Sequence, residues 1–181
     1  MPSPSQRAAF REVFDSHQHA LRAYCFRRLP ASQADDAVAE VFLVVWRRLD
    51  EAPSGSECRL WLYGIARNVI RNSRRSSDRS RRLRDRLSRE PRRDADSPEV
   101  VVLRSAEEER LREALDRLRP AEREIVLLRT WEDLSSAEIG IVMNLTPKAV
   151  DNRLARVRHK LARLIGYPTA SPQPIEGGGE R

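Results

Sequence analysis

The sequence predicts an all-α protein built as two small helical domains joined by a flexible linker. Three observations predict it. Apolar residues recur at helical spacing in seven segments, and no segment carries a convincing strand pattern. Residues 76–104 mix Ser, Arg, Asp and Pro, with few large apolar side chains before Val100 to Leu103, which is the composition of a linker. Leu134 to Leu161 set two helical patterns on either side of a tight turn. The predicted domains are residues 5–75 and 105–166, and a Pro- and Gly-rich tail over 167–181 is predicted to be disordered.

Taken in order, Phe10, Val13, Phe14, His17, Leu21, Tyr24 and Cys25 form the stripe of a first helix, and His17 reads as a packed core histidine. Ser32 is the predicted cap of a second helix, whose buried face is Val38, Val41, Phe42, Val45 and Leu49. Ala52 to Ser56 is a loop by its Pro, Ser and Gly content. A third helix turns Cys58, Trp61, Leu62, Ile65 and Val69 inward. A fourth, over about 105–118, is marked by Leu111, Leu115 and Leu118, and Pro120 starts a fifth with Ile125, Val126 and Leu128.

The last two helices carry the clearest chemistry. Ile139, Val142 and Met143 share one face of the sixth, while Val150, Leu154, Val157, Leu161 and Leu164 share one face of the seventh. Asn144 suits a left-handed turn position, because a short polar side chain tolerates positive φ. Thr146 is a good N-cap, and Pro147 stands where a first helical residue needs no N–H. This is helix-turn-helix patterning, in which the second helix enters a DNA major groove. The outer face of that helix offers Lys148, Asn152, Arg153, Arg156 and Arg158. Asn reads adenine bidentately, and Arg reads guanine or grips phosphate. An ordinary helical hairpin is the competing reading of the same pattern.

Composition narrows the classes. The chain has 181 residues and a formal net charge of +7. Residues Arg71 to Arg93 hold 11 Arg against three acids, a net of +8, so the remainder is near −1 (7 minus 8). The basicity is therefore local. The longest apolar run, Val41 to Trp46, is far too short to span a membrane. The N-terminus lacks the apolar segment of a signal peptide, so no membrane insertion and a cytoplasmic location are expected. Cys25 and Cys58 read as free, buried thiols. No metal-ligand spacing, Gly-rich phosphate loop or paired carboxylates with His occurs, so no metal, no cofactor and no enzymatic activity are expected.

Two further stretches carry a resemblance. Ala34 to Trp46, ADDAVAEVFLVVW, resembles the conserved-region-2 helix of bacterial sigma factors. Leu60 to Asn72, LWLYGIARNVIRN, looks like the helix that follows it in that family, and Leu115 to Leu164 looks like region 4. Both motifs, in this order and at this spacing, resemble the extracytoplasmic-function, or group IV, sigma factors of the sigma-70 family. The resemblance covers about residues 7 to 166.

That resemblance implies a protein that binds core RNA polymerase, carries it to promoters and helps open the DNA. Asp35, Asp36, Glu40 and Trp46 would dock on the clamp helices of the largest subunit, and region 4 would meet the flap of the second largest. The competing reading of the acids is a solvated helix start, where Asp favours the dipole. Arg67, Asn68, Arg71, Asn72, Arg74 and Arg75 would serve the minus-ten element, and the loop of about Asp50 to Cys58 would capture an unstacked base. Ser54, Ser56 and Glu57 are candidate polar edges for that base. Trp61 and Tyr63 are candidate stacking platforms, although the apolar stripe favours core for Trp61. Lys148, Asp151, Asn152, Arg153 and Arg156 would read the minus-thirty-five element. Asp151 departs from the basic or small residue frequent there; it either accepts from cytosine or pairs with a neighbouring Arg. The Arg-dense linker either touches nucleic acid or is a solvated tether. The implied partners are core RNA polymerase, promoter DNA and an anti-sigma factor. The main alternative is a helix-turn-helix repressor or activator that works outside the polymerase.

Overall fold

The computed structural model describes residues 3–87 and 106–166, and within them every regular element is helical. Helix α1 (Pro4–Phe26) begins at Ser3, whose hydroxyl accepts from the Gln6 N–H at 3.1 Å while the Gln6 side chain accepts from the Ser3 N–H. Helix α2 (Ala31–Arg47) starts after Pro30, which occupies the N-cap. Ser32, expected to be that cap, is already inside the helix. Pro30 has no side-chain acceptor to offer, but its fixed φ and its carbonyl, which accepts from Ala34 at 3.1 Å, start the turn. A 3-10 turn over Leu49–Glu51 leads to α3 (Ser56–Leu87).

Helix α3 is longer than expected. Its pattern of buried apolar residues ends at Ile70, yet the backbone stays helical to Leu87 through residues assigned to the linker. Arg is a good helix former, so an Arg-rich stretch sustains a helix without an apolar stripe. The rest of the expected linker, and the tail after Gly166, lie outside the described residues.

Helices α4 (Ala106–Asp116), α5 (Pro120–Thr130), α6 (Ser136–Met143) and α7 (Pro147–Ile165) form the second group. Leu111, expected on the buried face of α4, is exposed, and Ala114 is buried in its place. Ser135 caps α6 in a reciprocal box with Glu138, and Thr146 caps α7 by accepting from the Ala149 N–H at 3.2 Å. Each cap satisfies a backbone donor that would otherwise be orphaned.

The two groups share one apolar core. It runs from Leu21, Tyr24 and Val41 through Leu62 and Ile65 to Ile125, Leu134, Ile139 and Val150. Helix α6 packs against α3, so the helix-turn-helix unit is seated on the N-terminal bundle.

Candidate nucleic-acid interface

Helix α7 is held by its apolar side. Val150 and Val157 are buried and Leu154 is packed against the core. The turn that aims it depends on two residues. Asn144 adopts φ 55°, the left-handed conformation expected of it. Gly140 lets the chain fold back: its carbonyl accepts from the Leu145 N–H at 2.9 Å, and a Cβ on it would lie 2.6 Å from the Leu145 carbonyl oxygen. No side chain fits there. With that seating, Lys148, Asp151, Asn152 and Arg156 are exposed along one side and Arg153 is half-buried. Arg156 Nε donates to the Asn152 carbonyl at 3.2 Å. Asp151 accepts a short hydrogen bond from the Ser136 hydroxyl, so it ties the start of α7 to the start of α6 and its partner is not an Arg.

The second basic row lies on α3. Asn68, Arg71, Asn72, Arg74 and Arg75 are exposed and Arg67 is half-buried. The structure does not leave this row open to solvent throughout. Arg67, Asn68 and Arg71 line a cleft of about 690 Å³ whose opposite wall is Ile141 to Asn144 of α6 and the turn. Trp61, favoured as core, is half-buried and lines the same cleft, with the Arg48 guanidinium 5.9 Å from its ring. Tyr63, offered as a stacking platform, is buried instead and stacks on Tyr24 at 4.9 Å. Of the loop residues, Ser54 and Ser56 are exposed and Glu57 reaches the cleft. Arg74 Nη2 donates to the Arg28 carbonyl at 2.6 Å, which pins α3 to the end of α1.

That pin belongs to a buried ionic cluster that joins the two groups of helices. Arg28 Nε forks onto both Glu124 oxygens at 3.1 and 3.0 Å, and its Nη1 reaches Glu132 at 3.0 Å. Arg27 grips the same Glu132 at 3.2 and 3.1 Å. The Tyr24 hydroxyl donates to Glu124 at 2.6 Å, and the Tyr63 hydroxyl to Glu132 at 3.5 Å. Burial first, and the adjacent carboxylates second, push both tyrosine hydroxyls above their ordinary range. They stay protonated and serve as donors. Burying charge is costly unless it is paired, and here every charge has a partner across the divide.

The acidic face of α2 is open to solvent. Asp35, Asp36 and Glu40 are exposed, and Asp35 pairs with Arg22 at 3.1 Å. Trp46 is half-buried, packed edge-to-face on Phe10 at 5.1 Å. Between Asp36 and Trp46 stands Leu43, 56% exposed, an apolar residue on an otherwise charged face.

Comparison with known proteins decides the family. A model described as "Sigma-70 region 2" matches residues 13–80, and one described as "Sigma-70, region 4" matches residues 108–161. RNA polymerase sigma factor NccH of Alcaligenes xylosoxydans is 32% identical over 161 residues, covering 87% of each chain. The chain belongs to the extracytoplasmic-function sigma factors of the sigma-70 family. Further relatives are the sigma factor BldN of Streptomyces coelicolor, 32% identical over 87% of this chain and 60% of that protein, and CnrH of Cupriavidus metallidurans, 29% identical over 76% of this chain and 75% of that protein. The solved structure of CnrH with the cytosolic domain of CnrY matches at a TM-score of 0.59 and 25% identity, over 88% of this chain and 89% of that one. The sigma factor RpoE of Bartonella quintana, in complex with the anti-sigma factor NepR, shares the fold at a TM-score of 0.65 and 22% identity, over 87% of this chain and 96% of that one.

In this sigma factor the region 2 match spans most of α1, all of α2 and α3 to residue 80, and the region 4 match spans α5, α6 and most of α4 and α7. The ionic cluster is therefore a region 2 to region 4 contact. No described helix is long and apolar enough to cross a membrane. Cys25 and Cys58 are buried free thiols, and burial pushes Cys25 up to about 11 against a smaller opposing pull from Arg28. His17 is half-buried, its pKa lowered first by burial and then by Arg59. Reading the sequence alone missed Gly140, Leu43 and the Arg28–Glu124–Glu132 cluster. The first two carried signals: a Gly inside a helical pattern just before a turn, and a Leu one or two helical turns from acidic neighbours.

Proposed function

We propose that this sigma factor binds core RNA polymerase, directs it to a class of promoters and promotes opening of the DNA there. The observation that carries the reading is α7. Its apolar side is fixed in a helix-turn-helix, and its free side presents Lys148, Asn152, Arg153 and Arg156 in one row. Such a row reads base edges in the major groove, and Asn and Arg suit it chemically. We assign these residues, with Asp151 as an orienting neighbour through Ser136, to the minus-thirty-five element.

Arg67, Asn68, Arg71, Asn72 and Arg75 are assigned to the minus-ten element. Arg at these spacings tracks a phosphate backbone, which supplies most of the affinity. Arg74 serves this row through its hydrogen bond to Arg28 as much as through any phosphate. Asp36, Glu40 and Leu43 on α2 form the polymerase-facing surface: two carboxylates for a basic helical partner and an exposed apolar anchor. Trp46 supports that surface from beneath through Phe10.

The closed packing gives the mechanism a first step. The α6 wall stands over Arg67, Asn68 and Arg71, so region 4 leaves region 2 before single-stranded DNA reaches α3. Polymerase spreads the two regions over promoter elements a couple of helical turns apart. An anti-sigma factor, of the kind bound to RpoE in its solved complex, acts by holding the regions away from that arrangement.

The reading is tested with core polymerase purified from the source bacterium. Co-elution of the chain with core, and protection of two promoter elements only when both are present, is the expected result. Tight protection of an operator by the chain alone, with no complex on core, refutes it in favour of a repressor.

A further inference from the structure

The junction between region 2 and region 4 is ionic where apolar contact would serve. A buried ion pair often stabilises no better than packed apolar side chains of similar volume. The charges here divide cleanly between the two regions. Arg27 caps the C-terminal end of α1 and Arg28 follows it. Glu124 of α5 and Glu132 beyond it belong to region 4. Each acid turns both oxygens to one guanidinium, Glu124 to Arg28 Nε at 3.1 and 3.0 Å and Glu132 to Arg27 Nη1 at 3.2 and 3.1 Å. Among the described residues, these two acids are the only ones paired with Arg27 or Arg28. When the regions part, both arginines lose every acidic partner.

Two features of region 2 decide what replaces those acids. The first is position. Arg74 of α3 donates to the Arg28 carbonyl at 2.6 Å, so the end of α1 lies against the basic row assigned to the minus-ten element. The second is preorganisation. The Arg28 guanidinium lies 3.4 Å from the centre of the Tyr24 ring, and its Nη1 donates to the Tyr24 carbonyl at 3.0 Å. Both contacts are within region 2, so they keep Arg28 aimed after region 4 leaves. A carboxylate and a phosphate present the same kind of charged oxygens to a guanidinium. Glu124 and Glu132 therefore sit where phosphate oxygens would sit.

We infer that Arg27 and Arg28 are a further backbone grip for the single DNA strand held by α3, and that Glu124 and Glu132 stand in for its phosphates while the chain is closed. The inference rests on the proposed departure of region 4 from region 2. Strand and region 4 then compete for the same two guanidiniums. A strand seated on them keeps region 4 from returning, so capture of the strand and the open form stabilise each other. The contacts go to phosphates and carry no base preference.

The test is fluorescence anisotropy of a labelled single-stranded oligonucleotide of mixed sequence, titrated with the full chain over a series of salt concentrations. Glu132→Ala, which releases the arginines, is expected to bind the strand more tightly than the unsubstituted chain. In that background Arg27→Gln weakens binding about two- to fivefold and lowers the slope of log K against log salt by about 0.7, the share of one single-strand phosphate. Arg28→Gln in the same background acts in the same direction. Arg11→Gln, the same charge change at an exposed position nearer the start of α1, leaves the slope unchanged. Equal strand affinity in Glu132→Ala and the unsubstituted chain, or equal effects of Arg27→Gln and Arg11→Gln, overturns the inference and leaves the junction as a latch only. The titration contains no polymerase, so its failure is distinct from a failure of the chain to join core.

Discussion

Glu132→Ala tests the region 2 to region 4 junction most severely. Glu132 sits between α5 and α6 and holds Arg28 at 3.0 Å and Arg27 at 3.1 Å. Its side chain is 4% exposed and that of Arg28 is 1% exposed. At 3.0 Å and an effective dielectric of about 20, Coulomb attraction is about 5.5 kcal/mol, most of it offset by the desolvation of both charges. Removing one partner does not return that desolvation to the other. Arg28 stays buried with Glu124 alone, and the cost of breaking such a pair is about 3–5 kcal/mol. The whole cost falls on the closed form, because in an open form Arg27 and Arg28 regain water. The closed-to-open ratio is therefore expected to fall by at least about a hundredfold. Small-angle scattering, or energy transfer between probes on α2 and α7, reads this as an expanded chain with unchanged helix content. Added salt mimics the effect only weakly, since buried pairs are poorly screened. An unchanged inter-region distance in Glu132→Ala refutes the account, and shows that apolar contact between α3 and α6 holds the regions by itself.

Four further outcomes are expected. Gly140→Ala, which elsewhere in a helix gains about 1 kcal/mol, here sets a Cβ against the Leu145 carbonyl; thermal melting is expected to show a net loss of about 1–3 kcal/mol, and an unchanged midpoint contradicts the close approach. Arg156→Ala costs about 1–3 kcal/mol of affinity for promoters with the upstream element when measured as holoenzyme, and equal affinity removes it from the base-reading row. Leu43→Asp leaves the melting temperature of the free chain unchanged and weakens its binding to core polymerase, whereas loss of folding would return Leu43 to the core. Burial raises the Cys25 thiol to about 11, so the unfolded chain ionises first and folding stability declines as pH rises from about 9 towards 11; fast alkylation of the folded chain at neutral pH would contradict that burial.

Much of this architecture was legible along the chain because it is set locally. Periodicity places the helices, Asn144 and Thr146-Pro147 place the turn and the start of α7, and the exposed row on α7 follows from its buried stripe. Ser32 misled because Ser is a strong cap by composition, while Pro30 fixes the backbone two residues earlier. Residues 76–87 misled because few apolar residues resemble a linker, although Arg keeps a helix going. The junction was not legible at all. Arg28 and its carboxylates are 96 and 104 residues apart, and charged residues are read as solvated until a partner is known. Tyr63 likewise resembles an exposed platform until Tyr24 and Glu132 are placed beside it.

Transcription in vitro from a library of genomic fragments, with core polymerase of the source bacterium and transcript starts mapped with and without the chain, measures the sigma activity itself. Discrete starts that depend on the chain and share an upstream and a minus-ten motif are the predicted result. An identical set of starts in both reactions, with no chain retained on core, would contradict it.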